Sequence, residues 1–216
     1  MAENLRVTRY NNEDDIPTDL SDEDWENTEE GAYAIYPHTG GIWPDEPVEG
    51  IDSDEEMVEA YGKLYNWYAV DDPRGLCPEG WHIPSDDEWM QLVDYVVSQG
   101  YPNTNTVNGA GNALKSCRQV DSPLGGVCNT SDHPRWNSHG THYGFDEFGF
   151  SALPGSYRHT NGSFYNIGYD GYWWSSTESS STSAWDRRMS INYGHVDRYF
   201  ANKTFGFSLR CVRVID

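Results

Sequence analysis

Side-chain character alternates most clearly over residues 183–200, SAWDRRMSINYGHVDRYF. Trp185, Arg187, Met189 and Ile191 share one phase, and Asp186, Arg188, Ser190 and Asn192 share the other. Successive side chains of a strand point to opposite faces, so the period predicts a strand with one held face and one free face. Tyr193, His195, Asp197, Tyr199 and Phe200 extend the free set, with Val196 and Arg198 assigned to the held one. Upstream, residues 4–10 (NLRVTRY) and 31–36 (GAYAIY) read as strands, and 57–70 reads as an apolar, aromatic stretch ending in a strand. Ser21 and Asp24 are spaced to cap a short helix holding Trp25. Ser85 and Glu88 form a capping box, and Trp89, Leu92, Val93 and Val96 follow at helical spacing. They predict an amphipathic helix over 85–98, ended by Gly100 and Pro102. Residues 37–56 and 100–147 are rich in Gly, Asn, Ser, Pro and acids and read as loop. FGFSAL (148–153) reads as a buried strand followed by a Pro154–Gly155 turn.

Composition sharpens the picture. With 216 residues the chain suits one core, and 14% aromatic residues supply large burial per residue despite 37% hydrophobic content. The free set is mainly aromatic and small polar, the composition of an antibody paratope. A net charge of −21 argues against nucleic-acid backbones and anionic membrane surfaces. No apolar run is long enough to insert directly into a membrane, and no signal peptide is expected before the domain. The acid-rich blocks 11–30 and 37–56 read as a solvated surface, a structural calcium site being the sharper alternative. His82 reads as a hydrogen-bonded structural histidine. His133, His139 and His142 with Asp132 and Asp146 match no ligand spacing, so no metal site is assigned.

Four cysteines allow three pairings. The expected ones are Cys77–Cys211 and Cys117–Cys128, against the alternative of four buried free thiols. Disulfides imply an oxidising, extracellular location.

The segments MAENLRVTRYN, GKLYNWYAV, CPEGWHIPSDDEW, GFSALPGSYR, YWWSSTE and GFSLRCVR together resemble the Fibrobacter succinogenes major paralogous domain, over nearly the whole chain and in order. That family is similar to the C-type lectin-like fold in its formylglycine-generating-enzyme form. The resemblance implies a single α+β domain over 1–216, with twisted antiparallel sheets, few helices, much loop and neighbouring first and last strands. The insert GNALKSCRQV to RWNSHGTHYG and the run 164–213 look closer to variable proteins of diversity-generating retroelements, found in bacteria and bacteriophage. There, template adenines are mutagenised, mostly in AAC-type codons, which become NNC. NNC encodes Tyr, Asn, Asp, Ser, His, Phe, Thr, Ala and Arg among others, but not Glu, Lys, Gln, Met or Trp.

This resemblance implies that 164–213 is a variable ligand-binding region. Its strand members would be Asp186, Arg188, Ser190, Asn192, Tyr193, His195, Asp197, Tyr199 and Phe200. Its loop members would be Tyr165, Asn166, Tyr169, Asp170, Tyr172, Ser179, Ser180, Ser183, Asn202 and Phe205. All are of NNC-compatible type. The forbidden types in the run are Trp173, Trp174, Glu178, Trp185, Met189 and Lys203. Trp173, Trp174, Trp185, Met189, Ile191, Val196 and Leu209 would form the held core. The Ser175-Ser176-Thr177 hydroxyls would serve the indoles, and Arg187 and Arg198 would pair with a carboxylate such as Glu178 or Asp146.

The expected function is binding of a protein or glycan ligand on a cell surface, the domain being displayed on a bacterial surface or phage tail. It is not read as an enzyme and needs no cofactor. A second reading is a non-diversified secreted or lipid-anchored bacterial surface protein that binds carbohydrate, although the Glu-Pro-Asn and Gln-Pro-Asp calcium–sugar tripeptides do not occur. A third is a formylglycine-generating-type oxidase, which needs two nearby C-terminal cysteines where this run has only Cys211.

Overall fold

A computed structural model describes residues 3–213; the first two and last three residues of the 1–216 assignment, including Met1 and Ala2 of the first family-like segment, lie outside the described residues. In chain order the elements are α1 (Asp22–Asn27), β1 (Tyr33–Ala34), α2 (Asp54–Tyr61), β2 (Leu64–Tyr65), α3 (Trp67–Val70), β3 (Trp81–His82), α4 (Asp86–Ser98) and α5 (Ala110–Leu114). Then follow β4 (Tyr157–Arg158), β5 (Phe164–Tyr165), β6 (Asp170–Ser180), β7 (Ser183–Ser190), β8 (Asp197–Asn202) and β9 (Val212–Arg213). β6, β7 and β8 form an antiparallel three-stranded sheet, and the pairs β1–β2, β3–β9 and β4–β5 form short antiparallel ribbons. The result is a mixed α+β structure with few helices and much loop, as expected.

Local signals explain the helices. Ser85 Oγ accepts from the Glu88 amide while the Glu88 carboxylate accepts from the Ser85 amide, so the capping box is formed. Ser21 caps α1 and Trp25 is buried, as the spacing predicts. The strand expectations are corrected in three places. Residues 4–10 are extended but their backbone amides and carbonyls form no strand ladder, Leu5 N–H donating to Leu209 O at 2.8 Å. The stretch 57–70 ends in the helical turn α3, because the Asn66 side chain accepts from the Ala69 amide and caps it. Residues 148–153 carry one isolated bridge, Ala152 to Lys115, instead of a strand. The 31–36 strand is reduced to β1.

The expected alternation in β7 is incomplete for a physical reason: β7 is the middle strand and both of its faces are covered. Met189 and Trp173 pack with Trp89, Val96, Ala113 and Leu114 of the helices. Ala184 and Trp174 pack on the opposite side with Tyr65, Phe207 and Leu209. A strand covered on both faces buries both phases.

The second cover is a threaded segment, residues 203–209. Lys203 O accepts from Trp67 N–H at 2.8 Å, and Phe207 exchanges backbone bonds of 2.8 and 3.0 Å with Tyr65 of β2. Ser208 N–H donates to Tyr172 O of β6 at 3.0 Å, and Gly206 exchanges bonds with Arg158 of β4. One chain segment thereby joins three sheets. The chain then reaches Cys211, which is bonded to Cys77; Cys117 is bonded to Cys128. Both expected pairings are present, and the early and late segments lie side by side through Leu5 and Leu209.

Buried polar groups hold the loops. The Lys115 ammonium, fully enclosed, donates to the carbonyls of His142 (2.9 Å), Ser190 (2.6 Å) and Tyr193 (2.9 Å). Three acceptors match the three donors of an ammonium group. The tryptophan indoles use backbone and Asn partners and not the expected hydroxyls: Trp173 donates to Asn4 Oδ1 and Trp174 to Tyr65 O, each at 2.9 Å.

The Cys77–Cys211 bond spans a sequence separation of 134 and Cys117–Cys128 one of 11. Replacing Cys77 and Cys211 with Ala should lower the unfolding free energy by about 3–5 kcal/mol, and replacing Cys117 and Cys128 by about 2 kcal/mol less, in the chain-entropy account. Urea titration of the two double variants checks the order.

Candidate ligand-binding site

The register of the three-stranded sheet sets one row across its strands: Trp174 of β6, Asp186 of β7 and Tyr199 of β8. The next row is Tyr172, Arg188 and Asp197. Side chains in facing rows share one side of the sheet. On that side lies a cavity of about 350 Å³ lined by Tyr172, Asp186, Arg188 and Tyr199 from the sheet. Tyr157 of β4 and Phe205 and Phe207 of the threaded segment complete its walls. The rings brace one another. Tyr172 stacks on Phe207 at 4.9 Å, Tyr157 meets Tyr172 edge-on at 5.1 Å, and Tyr165 stacks on Tyr157 at 5.6 Å. Such aromatic pairs add about 0.5–1.5 kcal/mol each beyond their burial, which makes the wall rigid.

Charges under the sheet are paired by a different carboxylate from the one expected. Asp86, first residue of α4, accepts from Arg187 Nη1 at 2.8 Å and from Arg198 Nη2 at 2.7 Å. Burial opposes its ionisation, but the bonds from Arg198 and Arg187 outweigh this and hold the carboxyl below its ordinary value. Glu178 pairs with Lys203, and Asp146 accepts from the Ser151 amide at 2.6 Å. Arg198 also covers the Trp185 ring at 3.5 Å, so Trp185 sits half-buried beneath a guanidinium and not in the core.

Asp186 is the main departure from the expected free face. It is 2% exposed, and its carboxylate accepts no hydrogen bond from the described residues. The adjacent guanidiniums are engaged elsewhere, Arg187 by Asp86 and Arg188 by Asp170 at 3.0 Å. Burial pushes the Asp186 carboxyl up to about 7, with Arg187 and Arg188 pulling it down and Asp197 reinforcing the rise. Asp170 and Ser190 are likewise buried, Asp170 by its ion pair with Arg188 and Ser190 by the loop around Lys115. Arg188 is half-buried. These four are corrections to the free set: the second cover over β7 accounts for Asp186 and Arg188, the ion pair with Arg188 for Asp170, and the loop around Lys115 for Ser190.

The remaining expected site residues fall into separate places. Tyr199 and Phe200 stand 55% and 63% exposed on β8, and Asn202 ends the same strand exposed. Asn192 and Tyr193 are exposed on the β7–β8 connection, beside His195, which bonds Asp197 at 2.7 Å. Ser179, Ser180 and Ser183 lie at the far hairpin, away from the cavity. Tyr169 packs on Trp43 at 4.4 Å in a second cleft, and Asn166 donates to Asp170 at 2.6 Å. The structure therefore unites Tyr172, Asp186, Arg188, Tyr199, Phe200 and Phe205 in one cavity, with Tyr165 behind its wall. It adds Tyr157, His159 and Phe207, which the period-two reading omitted. Their signal lay in the segments GFSALPGSYR and GFSLRCVR, but no local pattern says that two distant segments close over a sheet.

The histidines named as possible ligands are dispersed. His133 Nδ1 bonds the Tyr61 hydroxyl, while His139 and His142 stack at 4.9 Å. His82 bonds Glu88 at 2.6 Å, the structural role expected of it. Among the described residues no group of three or more His, Cys, Asp or Glu side chains is placed to hold a metal ion. No helix among them is long and apolar enough to cross a membrane.

Fold and site define a disulfide-bonded α+β domain with an aromatic-walled cavity on one side of its sheet, suited to an oxidising, extracellular setting. The Fibrobacter succinogenes major domain matches residues 1–213, and the chain belongs to that family. No curated protein and no solved structure matches the chain.

Two outcomes follow from the charges. Arg187→Ala leaves the buried Asp86 with one partner fewer and should cost about 3–5 kcal/mol; Arg198→Ala, at a side chain 41% exposed, should cost less, both read from urea midpoints. An acid whose pKa rises on folding adds stability below its unfolded value, near 3.9, that is lost as pH rises through its folded value. Asp186→Asn should therefore be more stable than wild type at pH 8 and nearly equal to it at pH 4, each pKa unit corresponding to about 1.4 kcal/mol.

Proposed function

We propose that the domain is a ligand-binding protein displaying a hypervariable, Tyr-rich surface on a C-type lectin-like scaffold, diversified by a retroelement. The observation that carries this reading is the distribution of residue types by burial. Of the six positions of types that NNC cannot encode, Trp173, Trp174, Met189 and Lys203 are buried and Trp185 is half-buried, while Glu178 is exposed at the hairpin away from the cavity, paired with Lys203. The exposed aromatic and amide positions, Asn192, Tyr193, Tyr199, Phe200 and Asn202, are all of types that it can encode. Buried positions hold the frame and exposed ones are free to change, so a ligand can be exchanged without loss of fold. Rigid rings with small polar neighbours give contact area at low entropic cost. The ligand is a protein or glycan on a cell surface, and the domain is carried on a bacterial surface or phage tail. The role is binding and not catalysis, without nucleic acid or direct membrane insertion.

The decisive observation is genomic: an imperfect copy of the sequence encoding 164–213 beside a reverse transcriptase gene, differing at template adenines. Its absence leaves a non-diversified surface protein of the same family. At the bench, NNC-encoded replacements at Asn192, Tyr193, Tyr199, Phe200 and Asn202 should each shift stability by within about 0.5 kcal/mol. Met189→Ala should cost about 2–5 kcal/mol. Display of such a library, followed by selection on bacterial cells, should return binders.

A further inference from the structure

The cavity beside the sheet has an unusual floor. Asp186 is buried among rings, lines the cavity and has no hydrogen-bond donor among the described residues. Polar groups in such a position ordinarily find partners, because an unpaired buried charge is costly. The rings of Tyr157, Tyr172, Phe205 and Phe207 line the same cavity, held by mutual contacts of 4.9–5.9 Å. Ring faces carry negative potential and attract cations. The unpaired carboxylate and the aromatic lining favour positive charge, the Arg188 guanidinium in the same lining being committed to Asp170, and the chain's net charge of −21 draws cations from a distance.

The walls further restrict the ligand. The Phe205 and Phe207 rings suit an extended methylene arm, and the tyrosines and His159 in the same lining make a sugar amine the competing ligand that the test must separate. Arg188 closes one side, committed to Asp170, and its guanidinium lies 5.6 Å from the Tyr172 ring. Another wide guanidinium would meet it, whereas a compact ammonium group need not. We infer that the cavity receives a lysine side chain of a protein partner, its ammonium paired with Asp186 and its arm laid between the aromatic walls. This rests on the reading of this face as a ligand-binding surface, though not on its being diversified.

The charged and titratable groups around Asp186 are Arg187, Arg188 and Asp197 from β7 and β8, with Tyr172 of β6 and Tyr157 of β4 in the walls and His159 and Tyr199 also lining the cavity. Its carboxyl, raised by burial to about 7, is neutral at pH 5 and ionised at pH 8. A lysine ammonium, with an ordinary pKa of about 10.4, stays charged across that range. Binding should therefore strengthen with rising pH.

The test uses the full chain and Nα-acetyl-lysine methylamide, followed by aromatic NMR shifts. The norleucine analogue removes the charge, the arginine analogue widens it, and glucosamine offers an amine on a sugar. Expected are shifts at Tyr172 and Phe207, a several-fold preference for the lysine probe over all three, and at least tenfold weaker binding at pH 5 than at pH 8. Asp186→Asn should weaken binding at least tenfold at pH 8 and abolish the pH dependence, which His159→Gln should preserve. If Asp186→Asn does not fold, the carboxyl titration of Asp186 in wild type decides, its midpoint falling by a unit or more with the probe bound. Tyr199→Ala, at an exposed rim position, should bind more weakly while staying folded. Equal binding of the norleucine analogue, or an unmoved Asp186 titration, overturns the inference. Lysine-probe failure alongside successful selection from the exposed-face library overturns this inference alone; failure of both overturns the broader reading too.

Discussion

The shared carboxylate of Asp86 fixes the relation between the principal helix and the sheet. It sits at the first turn of α4, where the helix dipole favours negative charge, and accepts guanidinium bonds from β7 and β8. Arg187 is almost wholly enclosed, and its other donors reach the carbonyls of Asp86 and Asp186. With its charge matched in this way the strand can present an arginine to the interior. The helix lies against the sheet by the same contact, and Trp89 of α4 reaches toward Trp173 and Phe150. The side of the sheet facing away from the helix is thereby left to the aromatic cavity.

The sequence made the short-range features legible. Ser85 and Glu88 announced α4 because a capping box is a local exchange of hydrogen bonds, and Trp89 and Val96 announced its inner face. The cysteine pairs were likewise readable. Part of β7 was readable too, since Arg187 and Met189, with Ile191 just beyond the strand, are buried in the phase assigned to them, Trp185 being half-buried. Asp186 and Ser190 were not, because their burial depends on groups far away in the chain. Phe207, separated from Asp186 by the whole of β8, covers the same side of the sheet. Alternation reports how many faces a strand has, but not how many of them other segments will cover.

The same distinction explains the polar network. Pairing Arg187 and Arg198 with a carboxylate follows from the cost of an unmatched charge; choosing Asp86 over Glu178 or Asp146 requires the third dimension. Lys115 went unnoticed in a loop rich in Gly and Asn, yet its three carbonyl partners tie that loop to the β7–β8 connection. Burial pushes this ammonium down to about 7, with Asp170 opposing. Backbone carbonyls are invisible to any reading of side-chain types, so this tie had no signature. The exposed positions, by contrast, were legible as a class: Asn192, Tyr193, Tyr199 and Phe200 lie outward as expected.

The threaded segment 203–209 has a consequence for biogenesis. It supplies Phe205 and Phe207 to the cavity and joins β2, β4 and β6, yet it follows all of those strands in the chain. During translation, with N-terminal parts emerging first, the sheet and the earlier ribbons are available before the strip that binds them together. A nascent domain still missing that strip lacks the Phe205 and Phe207 walls, so the recess beside the sheet is completed only in polypeptides whose synthesis has passed residue 209.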